Sequence, residues 1–205
     1  MSVELERLAA RFAGLRVVVI GEAMLDCYLS GPGDRLCREA PVPIVTVKRR
    51  VEAPGGAANA AVNAAALGAR VRLLSVVGQD PEADALRVAL AEAGVGTAGT
   101  IGEPGRRTLA KHRVIAGGQT VVRFDHGTTE RAGAAAERAL IERLHLEARD
   151  ADAIVVSDYG YGVLTPRVIA ALAALQAQAP RVLVVDSKGL TAYRGTRVTA
   201  VKPNY

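Results

Sequence analysis

Two stretches of this chain hold residues whose types and spacing can do chemistry. The first is Gly21-Glu22-Ala23-Met24-Leu25-Asp26, directly after the β-branched run that starts at Arg16. Open α/β sheets hold ligands at the carboxyl ends of their strands, so Asp26 stands where a carboxylate can accept hydrogen bonds from ligand hydroxyls. A turn or helix-capping aspartate fits the same position. The second is Pro54-Gly55-Gly56-Ala57-Ala58-Asn59. Paired glycines let backbone pass close to a ligand. A helix starting after them offers free N–H groups to an anion or a hydroxyl, and Asn59 can both donate and accept. No GxGxxG follows the first strand and no GK[ST] occurs, which excludes the dinucleotide fingerprint and the P-loop. Taken bare, the glycine pair also reads as an ordinary turn before a helix.

The elements that must position these residues follow from periodicity. Arg16 to Ile20 is a continuous β-branched run after its arginine, and Val71 to Val77 is mostly apolar, as in buried parallel strands. Ala57 to Leu67 reads as a helix stopped by Gly68. Asp80-Pro81 opens another, with Asp80 as N-cap and Pro81 at N1, running to Ala93 before Gly94. Helices are predicted over 3–12, 131–147 and 165–178, and strands over 153–156, 182–185 and 198–201. Strands alternating with helices give an α/β doubly wound sheet. Two stretches break the rhythm. Residues 34–48 carry Pro41 and Pro43, then alternate through Ile44-Val45-Thr46-Val47-Lys48. Residues 106–125 alternate about Gly117-Gly118, which reads as a hairpin. Together they predict a small β-flap standing off the main sheet, of the kind that covers a ligand.

Composition narrows the function classes. The chain has 205 residues, half of them hydrophobic, with a formal net charge of +5. The arginines are scattered and aromatics are few, which argues against a nucleic-acid surface. Cys27 and Cys37 form no CxxC pair or Cys/His cluster, so no zinc site is expected and a reduced, cytoplasmic setting fits. No apolar run approaches a membrane span.

The spacing beyond Asn59 continues through Ala60-Ala61, Gly68 and Gly78. With Met24-Leu25-Asp26, Glu39-Ala40-Pro41-Val42-Pro43, Ser157-Asp158-Tyr159 and Asp186-Ser187-Lys188-Gly189, it resembles the PfkB, or ribokinase-type, carbohydrate kinases from about Arg16 to the C-terminus. Within that family the stretches are similar to the D-glycero-β-D-manno-heptose-7-phosphate kinase branch. The resemblance implies one incomplete ribokinase-like domain over 1–205: a mostly parallel sheet with a small β-strand lid from about 34–48 and 106–125. It implies phosphoryl transfer from ATP, with Mg2+, to a hydroxyl of a sugar or sugar phosphate. Asp26, Gly55, Gly56, Asn59 and Asp158 match substrate-binding positions. Lys111, Arg113 and Arg123 lie on the matching lid strands, where two or three cations would clamp a sugar phosphate. A solvated strand face is the plain alternative for each. Asn204 matches a position near the nucleotide phosphates, and Lys188 reads either as a second phosphate contact or as a plain surface lysine. Lid strands of the family often pair between subunits, so a homodimer is expected.

Departures from the pattern limit these expectations. The family's second signature, a Gly-rich loop ending in an Asp that acts as base, has no counterpart here. The resemblance puts that Asp beyond Tyr205, together with the Glu of the NxxE motif that starts at Asn204. The chain is therefore expected to be a piece of a longer protein or half of a split one. It would carry the sugar-binding part without the base and be inactive alone. Tyr161 stands where the heptose branch has a lysine (SDYxKG), and Leu36-Cys37-Arg38-Glu39 replaces Ile-Ser-Pro-Glu, adding a cation near the lid. An uncharged or differently phosphorylated sugar, or a nucleoside, is thus an alternative substrate. A non-catalytic sugar-binding module is an alternative function.

Overall fold

The computed structural model of the protein describes residues 10–202 together with Glu4 and Arg7. The helix expected over 3–12 falls largely outside the described residues. So do Asn204 and Tyr205, the positions at which the expected NxxE motif begins and beyond which the base was expected.

The apolar run at the start of the chain does form a strand, β1 (Arg16–Gly21), and its alternate side chains feed two separate cores. Val18 and Ile20 pack with Leu140 and Leu144 of α3 (Ala134–Ala148) and Leu172 of α4 (Pro166–Gln178). Val17 and Val19 pack on the other face, with Ala57, Ala58 and Ala61 of α1 (Ala57–Ala66) and Leu86 and Leu90 of α2 (Pro81–Glu92). A strand apolar on both faces can only sit in the middle layer of three. Burying each such aliphatic side chain contributes about 1.5–3 kcal/mol.

β1 is flanked by β6 (Arg70–Val77) and β10 (Ala153–Asp158); β7 (Gly96–Gly102) lies beyond β6, and β11 (Val182–Ser187) and β12 (Ala200–Val201) lie beyond β10. All five pairings are parallel. The doubly wound sheet with helices on both faces is therefore present as expected. Asp80 caps α2 by accepting from Ala83 N at 2.9 Å, with Pro81 in the first turn. Helix α3 starts three residues later than the periodicity suggests, because Ala132 N donates to Gly162 O.

A second sheet stands off the first. It joins β5 (Arg49–Gly56), β2 (Ala23–Gly31), β8 (Ala110–Ala116) and β9 (Gln119–His126) in that order, with β2–β8 parallel and the outer pairs antiparallel. Gly117 and Gly118 both take positive φ, 55° and 81°, the geometry of the tight hairpin turn the sequence implied. The alternating stretch 44–48 behaves differently from expectation. Only β3 (Arg35–Leu36) and β4 (Pro43–Ile44) pair there, over two residues each. Thr46 N and Lys48 N instead donate to Pro32 O and Ser30 O, and Pro32, lacking an N–H, cannot continue that ladder. The lid sheet takes β2 and β5 in its place.

Candidate functional site

The chain winds outward from β1 in both directions, so the crevice for ligands lies at the carboxyl ends of β1 and β10. Glu22 closes the floor of that crevice. It is fully buried, with Oε2 accepting from Tyr159 N at 2.7 Å and Oε1 from Val163 N at 3.1 Å. Burial pushes its carboxyl up, and the bonds from Tyr159 and Val163 pull partly back. Glu22 thereby holds the loop after β10 against the start of the lid.

Asp26 projects from β2 onto the lid face that overlooks the crevice. Its register neighbours are Ala53 on β5 and Lys111 on β8. Arg113, two residues along β8, donates from Nη1 to Asp26 Oδ1 at 2.7 Å, and that bond raises the guanidinium further above its ordinary value. The Arg113 guanidinium also lies 5.1 Å from the Tyr28 ring centroid.

Gly55 and Gly56 do not form a loop as the sequence suggested; they end β5, and Pro54 is tolerated because β5 is an edge strand. A Cβ on Gly55 would lie 2.4 Å from Asp26 Oδ2, so the glycine leaves room for the carboxylate. Gly56 takes φ 58°, and a Cβ there would meet Glu22 O at 2.4 Å. Ala57 N donates to that same Glu22 carbonyl at 2.9 Å as α1 begins. Asn59, exposed in the first turn, accepts from Asn63 Nδ2 at 3.3 Å.

The cations of the lid share one face. Arg113 lies opposite Arg123, and Lys111 opposite Asp125. Arg123 grips Asp125 through two bonds, Nε to Oδ1 at 2.8 Å and Nη2 to Oδ2 at 2.6 Å, and holds that carboxyl below its ordinary range. Two of the three cations are thus already paired. Lys111 forms no ion pair among the described residues; its ammonium lies 5.4 Å from the Tyr159 centroid and 5.5 Å from that of Tyr161. Burial and the Arg123 charge push its pKa down.

Asp158 lies at the end of β10, beside this face, with its oxygens already occupied. Oδ2 accepts from Ser187 Oγ and Tyr193 Oη, both at 2.8 Å, and Oδ1 from Gly160 N at 2.9 Å. Burial first, and then Asp158, push the Tyr193 hydroxyl far up. A cleft of about 330 Å3 opens on the other side of Asp158, lined in part by Thr129, Arg131, Thr165, Ser187 and the exposed Lys188. Asn204 and Tyr205 lie outside the described residues, so neither is placed relative to this cleft.

Residues 15–204 match the pfkB family of carbohydrate kinases. The chain belongs to the PfkB family. Over 203 residues it is 42% identical to the bifunctional protein HldE of Citrifermentans bemidjiense, covering 98% of this chain and 41% of that protein. The HldE of Mesorhizobium japonicum is 38% identical over 206 residues, with 98% and 40% covered. This PfkB chain thus spans about 40% of the length of those curated relatives. Two solved structures share the fold. The tetrameric inhibited form of phosphofructokinase-2 from Escherichia coli has TM-score 0.69 at 19% identity, covering 94% of this chain and 61% of that one. Arabidopsis thaliana ribokinase complexed with ribose and ATP has TM-score 0.62 at 15% identity, covering 94% and 60%.

Within this PfkB domain, no three His, Cys, Asp or Glu side chains among the described residues converge on a metal position. Lys188, Arg131 and Thr129 are the groups in the cleft beside Asp158 that fit an anionic phosphate. Among the described residues no helix is long and apolar enough to cross a membrane.

Two residues with clear structural work were missed in the sequence. Glu22 lies between Gly21 and Ala23, and a carboxylate directly after an apolar run was the available signal. Arg106, buried at 7% exposure, gave none, because burial of one arginine among many cannot be read from spacing.

Proposed function

We propose that this chain supplies the sugar-binding part of an ATP-dependent kinase that phosphorylates a hydroxyl of a heptose 7-phosphate type sugar. The observation that carries this reading is the single lid face bearing Asp26, Lys111, Arg113 and Arg123 above the strand-end crevice. A carboxylate with one oxygen oriented by Arg113 suits sugar hydroxyls. The Lys111 ammonium, free of carboxylate partners among the described residues, suits a phosphate carried by the sugar. Arg113 and Arg123 add charge at the cost of sharing their present partners. The heptose branch is supported by the GEAMLD, EAPVP, PGGAAN and SDY stretches and by about 40% identity to HldE proteins across nearly the whole chain.

In this reading Lys188, together with Asn204, serves the nucleotide phosphates. As the family resemblance implies, the base that takes the hydroxyl proton is the Asp of the family's second signature, outside residues 1–205, while Asp26 and Asp158 serve the substrate. Residues 1–205 alone are accordingly expected to bind sugar without turning over ATP.

One observation favours a second reading. Tyr161, beside Lys111, brings no charge, and two lid cations are neutralised, which suits a PfkB kinase for an unphosphorylated sugar or a nucleoside. A screen of ATP turnover by the intact protein over heptose 7-phosphate, heptose, ribose, fructose 6-phosphate and nucleosides separates the two. Preference for heptose 7-phosphate is expected, and equal or faster turnover of any other substrate overturns the heptose assignment. Sugar binding with no ATP binding would instead mark a non-catalytic module.

A further inference from the structure

Arg106 is the only buried Lys or Arg among the described residues. It lies in the turn leading into β8, five residues before Lys111. Nη1 donates to Glu103 Oε2 at 3.1 Å. Nη2 donates to Glu130 O at 3.0 Å, to Tyr161 O at 3.2 Å and to Thr128 O at 3.5 Å. One guanidinium thus ties three segments: the entry to the lid, the exit from it after β9, and the loop after β10.

The backbone around this point is built for close approach. Thr128 N donates to Arg107 O at 2.9 Å, and Ala132 N to Gly162 O at 2.9 Å. Gly162 takes φ 83°, and a Cβ there would come within 2.3 Å of Glu130 O. Gly78 is similarly pressed, since its Cβ would lie 2.6 Å from Arg106 O. Burying a guanidinium is costly unless its donors are met, and removing it leaves carbonyls unpaired in a confined space. The carbonyl it holds belongs to Tyr161, whose ring faces the Lys111 ammonium.

We propose that Arg106 is a positioning residue for the sugar site: by pinning the Tyr161 carbonyl to both roots of the lid, it fixes the Tyr161 ring beside Lys111 and so sets where that ammonium meets the substrate. This rests on the reading of Lys111 as a substrate contact given above. Arg106 itself touches no substrate. The groups around Lys111 are Tyr159 and Tyr161 from the loop, Asp26 from β2, Arg113 from β8, and Arg123 and Asp125 from β9. With the loop released, water reaches the ammonium and its titration rises toward the ordinary lysine value.

The test uses the intact protein and its R106A, R106K, Y161A and R106A/Y161A variants. Lysines are 13C-methylated and the Lys111 signal, assigned with K111R, is titrated by NMR. R106A and Y161A are each expected to move the Lys111 titration upward. The double variant should move it no further than either single, and R106K should recover part of the shift. With the best sugar substrate, R106A should raise KM about tenfold while kcat changes less than threefold. A folded R106A whose Lys111 titrates as in the parent overturns the proposal, as does an additive double variant. If R106A fails to fold, Y161A carries the test alone: a parent-like Lys111 titration in it overturns the proposal. The titration needs no substrate. A parent protein that binds no sugar phosphate therefore sinks the sugar-phosphate reading separately, while the titration still decides whether Arg106 acts through Tyr161.

Discussion

Asp26 and Gly55 form one unit: the Asp26 carboxylate oxygen Oδ2 occupies the space a Cβ on Gly55 would take, 2.4 Å away, while Oδ1 is held by Arg113 at 2.7 Å. The glycine is thus required by its neighbour across β2 and β5, not by its own backbone angles. Gly55→Ala must displace the carboxylate and so disturb its bond to Arg113. Expected results are a loss of about 1–3 kcal/mol in stability, typical of overpacking, and at least a tenfold loss of sugar affinity. Denaturant unfolding and calorimetry on the same sample measure both.

The two lid arginines should contribute unequally. The Arg123–Asp125 pair is largely exposed, so Arg123→Ala is expected to cost well under about 1 kcal/mol in stability. The Arg113–Asp26 pair is mostly enclosed, and Arg113→Ala leaves a half-buried carboxylate without its donor. A loss of about 1–3 kcal/mol is expected. Thermal unfolding of the two variants side by side checks the order.

Asp80 should govern acid stability. Burial raises its carboxyl, but bonds from Thr108 Oγ1 at 2.6 Å, Thr108 N at 2.7 Å and Ala83 N at 2.9 Å outweigh that and hold it below 3.8. A depressed carboxyl contributes stability that is present above 3.8 and is lost as pH falls through the lower folded value. Asp80→Ala removes the cap and leaves Thr108 N unpaired, costing at least about 2 kcal/mol at pH 7. The difference from the parent should shrink as pH drops below 3.8, as followed by urea unfolding.

Glu22 should act with the opposite sign. Its carboxyl is raised from 4.5, chiefly by burial. Its contribution is full below 4.5 and falls as pH rises through the higher folded value. The stability gap between parent and Glu22→Gln is therefore expected to narrow between acidic and neutral pH. A gap that widens would show that the ionised form is the favoured one.

The main sheet was legible because its strands are apolar on both faces and its helices carry local stops, such as Asp80-Pro81 before α2 and Gly68 after α1. The lid was read only in part. β2 alternates Leu25, Cys27 and Leu29 with Asp26, Tyr28 and Ser30, but its apolar start, Ala23-Met24-Leu25, masks that period. β5 ends in Pro54-Gly55-Gly56, which reads as a turn although an edge strand accommodates it. In β7, three glycines erase the pattern, one of them, Gly99, pressed so closely that a Cβ would meet Leu74 Cδ2 at 2.2 Å. The candidate site residues were found by type and order. Their pairings were not, because Asp26 meets Arg113 only through the parallel β2–β8 register, and that depends on a crossover of some eighty residues.

The most direct test of the sugar-site reading is calorimetric titration of the intact protein and its Asp26→Asn variant with heptose 7-phosphate. Saturable binding is expected in the parent. In the variant it should be at least tenfold weaker, about 1.4 kcal/mol, with the protein still folded. Parent-like affinity in a folded Asp26→Asn protein would contradict the assignment of this lid face as the sugar site.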